Sequence, residues 1–187
     1  KGDKILVHAA AGGMGLILCQ WAKALGAIVI GTVSTPEKAE IARQAGCDYP
    51  VVRSQENFVK VVQEITNDEG CAVVYEAIGK ATLQQSLDSL RPMGICAAYG
   101  HVSGPPDPID IIQDLGRRGS LFITRPAIMH YVAKRADLDW TANDLFKAIR
   151  EGILDANINY EYPLKDAVKV HENLESGKTL GASILIP

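Results

Sequence analysis

The first 125 residues alternate between two hydrophobic periods. Short runs of β-branched and apolar residues predict strands, and most segments between them space apolar residues three and four positions apart, as helices do. Because strands alternate with helices, the pattern predicts a doubly wound α/β domain built on a parallel sheet. The six predicted strands are residues 4–8, 27–33, 49–52, 72–76, 95–99 and 120–124, and the helices are residues 15–25, 36–45, 57–66 and 81–90.

This alternation weakens after residue 125. Residues 100–110 (GHVSGPPDPID) are rich in Gly and Pro and therefore predict an irregular loop. Residues 141–151 and 164–175 predict two helices, and residues 182–186 predict a last strand. We therefore expect an α/β domain over residues 1–130, followed by a C-terminal segment over residues 131–187.

The composition is that of an ordinary globular domain, with 47% hydrophobic and 22% charged residues in a chain of 187. A net charge of −3 without a basic stripe argues against a nucleic-acid-binding surface. No apolar run approaches the roughly 18 residues that a membrane span needs. No secretory signal is recognisable either, so we expect a cytoplasmic location and no membrane partner.

The four cysteines, Cys19, Cys47, Cys71 and Cys96, lie far apart in the sequence. Zinc and redox motifs need closely spaced thiolates, so this spacing predicts no metal site. Each cysteine has apolar neighbours, which favours buried and reduced thiols.

The segment between the first predicted strand and helix matches the G-x-G-x-x-G fingerprint, with Ala10, Gly12 and Gly15 at its three glycine positions. The first position makes the turn, the second lets the backbone approach a pyrophosphate, and the third lets the helix pack on the strand. A helix N-terminus there offers free N–H groups to phosphate. The alternative is a glycine-rich turn without a ligand. The Rossmann domain predicted here would bind the dinucleotide through Ala10, Ala11, Gly12, Gly13, Met14 and Gly15.

The end of the second strand distinguishes the two nicotinamide dinucleotides. Domains that bind NAD(H) usually place an acid there to accept from the ribose 2′-hydroxyl. The stretch GTVST at residues 31–35 has none, and Glu37 is followed at once by Lys38. Ser34 and Lys38 therefore predict a 2′-phosphate and NADP(H), although Lys38 could also be an ordinary solvated lysine. Ser34 with Glu37 three residues later also predicts a capping box.

The chain resembles a known family from its start, through the segment VHAAAGGMGLILCQWAKALGAIVIGTVSTPEKAEIARQAG. It is similar to the zeta-crystallin-like, zinc-free quinone oxidoreductases of the medium-chain dehydrogenase/reductase superfamily. The likeness continues through VVYEAIG, SLDSLRPMG, YGHVSG, GSLFITRP, LFKAIREG and YPLKDAVKVHENLESGKTLGASILIP. It implies that a GroES-like substrate domain precedes this chain, and that residues 131–187 normally pack against that domain.

The resemblance also implies where the cofactor NADP(H) would bind. The glycine loop would hold the pyrophosphate, Lys38 the 2′-phosphate, Ile78 and Gly79 the ribose, and the turn at Tyr99 and Gly100 the nicotinamide end.

Two positions depart from the family pattern. Arg53 stands where relatives often carry a tyrosine near the adenine. An arginine there could stack on the adenine or pair with the phosphate, or it could be a plain exposed residue. The family's C-terminal basic residue is shifted, with Gly177 and Lys178 in its place.

By resemblance, the activity is reduction of a quinone, or of the activated C=C bond of an enone, by NADPH without zinc. No residue is identified as catalytic, because substrate contacts would come largely from the preceding domain, and His101 is the one histidine near the nicotinamide end. This chain alone is therefore expected to bind cofactor but turn over little. Alternatives are an alkenal or enoyl reductase of the same superfamily, and a non-enzymatic crystallin-like or RNA-binding role.

The stretch from Gly119 to Arg125 (GSLFITR) predicts a short apolar strand at the end of the sheet. Exposed edges of this kind tend to pair with another strand. In the family that the chain resembles, this strand joins the same strand of a second subunit, so we expect a homodimer. A covered internal strand is the alternative.

Overall fold

All six strands predicted in the α/β region are present and lie parallel in one sheet. The structure is a computed structural model and describes residues 1–156, 158–177 and 179–187. The sheet order is β3-β2-β1-β4-β5-β6. In chain order the strands are β1 (Lys4–Val7), β2 (Ile28–Val33), β3 (Tyr49–Val52), β4 (Cys71–Glu76), β5 (Leu90–Ala98) and β6 (Phe122–Thr124).

Helices cover both faces of this sheet, as the alternating pattern predicts. On one face Leu6 and Val74 pack in a buried cluster with Phe58 and Leu87. On the other face Val7 belongs to a second cluster that includes residues of the first two helices. Successive residues of a strand point to opposite faces, so β1 contributes to both clusters and lies at the centre of the core. The four helices are α1 (Gly13–Ala24), α2 (Pro36–Gln44), α3 (Phe58–Thr66) and α4 (Leu83–Asp88).

The region after β4 contains structure that the sequence pattern did not predict. The fifth strand begins at Leu90 rather than at residue 95, because an irregular register and a positive φ of 60° at Met93 interrupt its alternation. A π-helix (Ile111–Gly116) follows the Gly/Pro-rich loop, and a short helix α5 (Ile128–Tyr131) follows β6. In the described part of the chain, no helix has the length and apolarity needed to cross a membrane.

The C-terminal segment forms a second, two-stranded parallel sheet. Its strands are β7 (Ile158–Pro163), which the sequence analysis missed, and β8 (Ala182–Ile186), which it predicted. The helix α6 begins earlier than predicted, and a 3₁₀ turn precedes α7. These elements are α6 (Arg135–Arg150), the turn (Leu164–Asp166) and α7 (Ala167–Glu175).

The C-terminal segment contacts the first helix of the α/β domain. Gln20 and Asp155 exchange two hydrogen bonds, of 3.3 and 2.6 Å, between the Gln20 side chain and the Asp155 main chain. A cavity of about 580 Å³ lies between α1, α2 and this segment. The packing of residues 131–187 on a preceding domain stays a prediction.

The strand β6 is the last in the sheet order, so it is an edge strand and not an internal one. Its first residue, Phe122, is 55% exposed. An exposed aromatic residue on an unpaired edge is the feature that the predicted dimer requires, and the dimer itself stays a prediction.

Replacing Leu6 with alanine tests the assignment of β1 to the centre of the core. Leu6 is fully buried, so Leu6→Ala should lower the free energy of unfolding by about 2–5 kcal/mol, measured by urea denaturation. Leu25→Ala is the matched control, because Leu25 is 68% exposed and its truncation should change stability by less than about 0.5 kcal/mol. Equal effects of the two substitutions would contradict the assignment.

Candidate functional site

The glycine loop, residues 8–15, connects β1 to α1 at the carboxyl edge of the sheet. The backbone turns at Ala9, which is left-handed with a φ of +52°. The Ala10 N–H donates to the Thr32 carbonyl, 3.0 Å away, and the Gly12 N–H donates to the Ala9 carbonyl, 2.9 Å away. These bonds fix the loop against β2 before the helix begins at Gly13.

Glycine at the third position of the fingerprint, Gly15, allows α1 to pack closely on the turn after β1. A Cβ atom at Gly15 would overlap the carbonyl oxygen of Ala9 and the backbone of Ala10, so glycine is required there. The alanine at the first position is tolerated because Ala10 is fully buried and its methyl group faces Gly31. A side chain at Gly31 would come within 2.7 Å of that methyl group.

The N-terminus of α1 is open to an anion. Its N-cap, Gly12, has no side chain to accept from the first-turn N–H groups, and that turn carries no acidic residue. Free N–H groups and the positive end of the helix dipole together favour a phosphate at this point. The predicted residues Gly13 and Met14 lie in this first turn, with the Met14 side chain exposed.

The capping residue of α2 is Thr35, not Ser34, which corrects the predicted capping box. Thr35 has extended backbone, and its hydroxyl accepts from the Lys38 N–H at 3.3 Å. The same Thr35 side chain holds the pKa of the Glu37 carboxyl below its usual value by hydrogen bonding. Ser34 is therefore left exposed at the end of β2, where its hydroxyl can meet a ligand.

Lys38 lies in the first turn of α2 and is partly buried, and its role at a 2′-phosphate stays a prediction. Its ammonium group donates to the Gly177 carbonyl at 2.8 Å, which brings the C-terminal turn to the carboxyl end of β2. Lys178, the shifted basic residue, lies outside the described residues.

Arg53 follows β3 directly and is exposed. Its backbone N–H donates to the Val33 carbonyl at 3.1 Å, so Arg53 lies at the same edge as the end of β2. It lines a polar cleft of about 410 Å³ together with Thr82 and Gln85 of the α4 region.

The turns after β4 and β5 are bonded to each other on the other side of the glycine loop. The Ser103 N–H and hydroxyl both donate to the Ile78 carbonyl, at 2.8 and 2.7 Å. Close packing explains two glycines: a Cβ at Gly79 would lie 2.6 Å from the Gly104 carbonyl oxygen, and one at Gly100 would lie 2.5 Å from that of Ala77.

Arg125, which the sequence analysis placed only in the edge strand, also reaches this side. One guanidinium nitrogen donates to the Tyr99 carbonyl at 2.5 Å, and another lies 3.5 Å from Nδ1 of His101. Arg125, His101 and Gly100 line a cavity of about 190 Å³. No local motif marked Arg125, because its partners belong to the preceding strand's turn.

A buried polar network lies beneath the glycine loop. Nδ1 of His8 is 2.8 Å from the Thr32 hydroxyl, and Nε2 is 2.9 Å from the Ser86 hydroxyl and 3.4 Å from a carboxylate oxygen of Glu76. Both His8 and Glu76 are fully buried. The network links β1, β2, β4 and α4.

The four cysteines are free and buried, as predicted. Burial raises the pKa of the Cys71 and Cys96 thiols to about 12, which makes them poor nucleophiles. Within the described ranges, no group of three or more His, Cys, Asp or Glu residues is arranged to hold a metal ion.

The predicted site residues thus follow one edge of the sheet in strand order. Ser34, Lys38 and Arg53 lie on the β2 and β3 side of the glycine loop, and the pairs Ile78–Gly79 and Tyr99–Gly100 lie on the β4 and β5 side. In parallel sheets ligands bind at this carboxyl edge, where the connections diverge to opposite faces. Fold and loop together define a Rossmann-type nucleotide-binding domain.

Comparison with known families agrees with this class. Residues 13–137 match the family model described as zinc-binding dehydrogenase, which is more than half of the chain. The chain therefore belongs to the zinc-binding dehydrogenase family.

Curated relatives place the chain more narrowly. It is 52% identical to a 2-haloacrylate reductase from Burkholderia sp. over 100% of this chain and 56% of that protein. It is 42% identical to a quinone oxidoreductase from Pseudomonas aeruginosa over 100% of this chain and 57% of that protein. These matches confirm the resemblance to quinone oxidoreductases, of which the chain spans a little over half the length.

A solved structure of a relative has the same fold over the whole length of this chain. The Escherichia coli quinone oxidoreductase complexed with NADPH superposes with a TM-score of 0.94 and 43% identity, covering 100% of this chain and 58% of that one. The six-stranded α/β architecture predicted from the sequence is thereby confirmed.

The buried histidine predicts acid sensitivity of the fold. Burial lowers the pKa of His8 well below its ordinary value of 6.5, outweighing the nearby Glu76 carboxylate, which raises it. Below pH 6.5 the unfolded chain therefore binds a proton at His8, whereas the folded chain does not. The free energy of unfolding accordingly falls as the pH drops. Between pH 7 and pH 5 this contribution should be about 2 kcal/mol in the free energy of unfolding.

The measurement is urea denaturation at each pH for the unmodified chain and for His8→Asn, which cannot titrate. The loss between pH 7 and pH 5 should shrink by about 2 kcal/mol in His8→Asn. His171→Asn is the matched control, because His171 is exposed on α7 and its replacement should leave the pH dependence as it was. An unchanged slope in His8→Asn would show that His8 does not carry the effect.

Proposed function

We propose that this chain is the cofactor-binding part of an NADP(H)-dependent reductase. The observation that carries the proposal is the combination of an uncapped helix N-terminus after β1 with the half-buried Lys38 at the end of β2. The Glu37 carboxyl, the acid nearest this point in sequence, is engaged with Thr35. The edge of β2 thus presents a hydroxyl and an ammonium group, which suit a 2′-phosphate better than a free 2′-hydroxyl.

In this proposal each part of the edge has one task. The N-terminus of α1 holds the pyrophosphate, Ser34, Lys38 and Arg53 hold the 2′-phosphate and adenine end, and the turns after β4 and β5 hold the ribose and the nicotinamide. When bound, the cofactor supplies hydride transfer, while the protein supplies position and electrostatic environment.

The hydrogen bond from Lys38 to Gly177 is compatible with this role. That bond joins a cation to a neutral carbonyl, whereas a phosphate would pair the same ammonium group with an opposite charge. A 2′-phosphate at this position would therefore replace or share the interaction with the C-terminal turn.

Substituting Lys38 tests the assignment of the 2′-phosphate. We expect Lys38→Ala to weaken NADPH binding by about 10- to 100-fold, since a hydrogen bond between charged groups is lost, and to leave NADH binding unchanged. Arg53→Ala should act in the same direction but less, because Arg53 is more exposed. Calorimetry or cofactor fluorescence measures both affinities, with Lys60→Ala, at an exposed lysine of α3, as the matched control. The assignment fails if the two cofactors bind alike and neither substitution matters.

The names of the relatives suggest two classes of electron acceptor. Quinone oxidoreductases at 42% identity favour a quinone, and a 2-haloacrylate reductase at 52% identity favours an activated alkene. We propose the quinone first, with the activated alkene as the second candidate.

An acceptor panel distinguishes the two classes. We expect this 187-residue chain to bind NADPH with little turnover, because most substrate contacts would lie outside it. NADPH oxidation at 340 nm should therefore be slow with benzoquinone, menadione, 2-chloroacrylate or an enone. In a protein that also carries the predicted GroES-like substrate domain, it should become fast with either the quinones or the activated alkenes. Robust quinone reduction by the 187 residues alone would refute the expectation.

A further inference from the structure

We propose that Glu76 is a positioning residue for the nicotinamide half of the cofactor. Its buried carboxylate holds the turn at Ile78 and Gly79 in the conformation that meets the ribose. The inference rests on the proposed function, and it assigns a role to a charged residue that cofactor binding does not touch directly.

The carboxylate of Glu76 is surrounded by donors from the turn that follows it. Oε1 accepts the N–H groups of Ile78 and Gly79, at 2.6 and 3.1 Å. The Thr82 hydroxyl lies 3.0 Å from both carboxylate oxygens, and the Ser86 hydroxyl donates to Oε2. These donors come from the ten residues after Glu76, so the carboxylate organises the turn that follows it, while Nε2 of His8 lies 3.4 Å from Oε2 and joins it to the buried network.

The main chain of Glu76 also bonds to the turn after β5. Its carbonyl accepts the N–H groups of Tyr99 and Gly100, at 2.9 and 3.2 Å. Ser103 in turn bonds to the Ile78 carbonyl through both its N–H and its hydroxyl. The turns after β4 and β5 therefore form one bonded unit with Glu76 at its centre.

Stability alone is a poor reason to keep a carboxylate here. Glu76 is fully buried, and burying a charge carries a large desolvation penalty. Well-packed apolar residues often stabilise such a position as well or better. Glu76 also lines the 190 Å³ cavity at the edge of the sheet, together with Gly79 and Gly100. A buried carboxyl group that bonds the turn at the predicted binding edge points to a role in shaping that edge for the ligand.

The strand order separates this unit from the phosphate end. Lys38 and Arg53 follow β2 and β3 on one side of β1, whereas Glu76 ends β4 on the other. Loosening the turn after β4 should therefore weaken contacts to the nicotinamide half and spare the adenosine 2′-phosphate half. Adenosine 2′,5′-bisphosphate carries only the latter, so it separates the two effects.

The experiment compares the binding of NADPH and of adenosine 2′,5′-bisphosphate to the 187-residue chain and its variant Glu76→Gln. The substitution keeps the size of the side chain and removes its charge. We expect the Kd for NADPH to rise about tenfold and that for the bisphosphate to change by less than about twofold. The fluorescence enhancement of bound NADPH should also fall, since it reports on the nicotinamide. Glu64→Gln, at an exposed glutamate of α3, is the matched control and should change neither affinity.

Equal weakening of both ligands, or no change in either, would overturn the inference. Binding of neither ligand by the unmodified chain would instead refute the proposed function, and the inference with it. If Glu76→Gln does not fold, Thr82→Val decides the question, because it removes one hydroxyl donor to the carboxylate and keeps the shape. Thr82→Ser, which restores that hydroxyl, should then recover the affinity for NADPH.

Discussion

The contact between α1 and the turn after β1 is the constraint on which the site depends. Gly15 lies so close to Ala9 and Ala10 that no side chain fits between them. The helix therefore begins directly over the turn, and its uncapped first N–H groups lie at the carboxyl edge of the sheet. Ala9 takes a left-handed conformation, unusual for a residue with a side chain, to make this approach possible.

The strand order distributes charge on either side of that contact. Adjacent strands lie about 4.8 Å apart, so each step from β1 moves the edge by a short and regular distance. On the β2 and β3 side the edge carries the cations Lys38 and Arg53, and on the β4 side it carries the buried carboxylate of Glu76. His8 joins the two sides beneath the loop, bonded to Thr32 on β2 and to Ser86 on α4. Burial lowers the pKa of this histidine, which favours its neutral form in the network.

The elements of the fold that depend on residues close together in the sequence were predicted from local patterns. The strand and helix periods predicted the six strands of the main sheet, the strand β8 and the six helices α1–α4, α6 and α7, and the spacing of Ala10, Gly12 and Gly15 located the loop. The capping residue of α2 was misassigned by one position, because Ser34 and Thr35 both carry hydroxyls and only the backbone conformation separates them. The contacts of Glu76 with His8 and with the turn at Tyr99, and those of Arg125 with that turn, join residues far apart in the sequence, which no local spacing reveals. The strand β7 was missed although Ile158, Tyr160 and Tyr162 alternate with other residues in the period of a strand, and the structure pairs it with β8.

The C-terminal segment gives the double glycine of the loop a second explanation. Gly181 pairs with Gly12 in a parallel bridge, and its N–H donates to the Ala11 carbonyl at 3.2 Å. A Cβ at Gly13 would lie 3.4 Å from the Gly181 carbonyl oxygen, so a small residue there makes room for this approach. The fingerprint assigns no role to Gly13, yet the structure gives it one in packing. The Gly181 carbonyl therefore lies at the first turn of α1, beside the N-terminus proposed to hold the pyrophosphate. The loop is therefore shaped on one side by the C-terminal segment and on the other by the ligand that its open helix end favours.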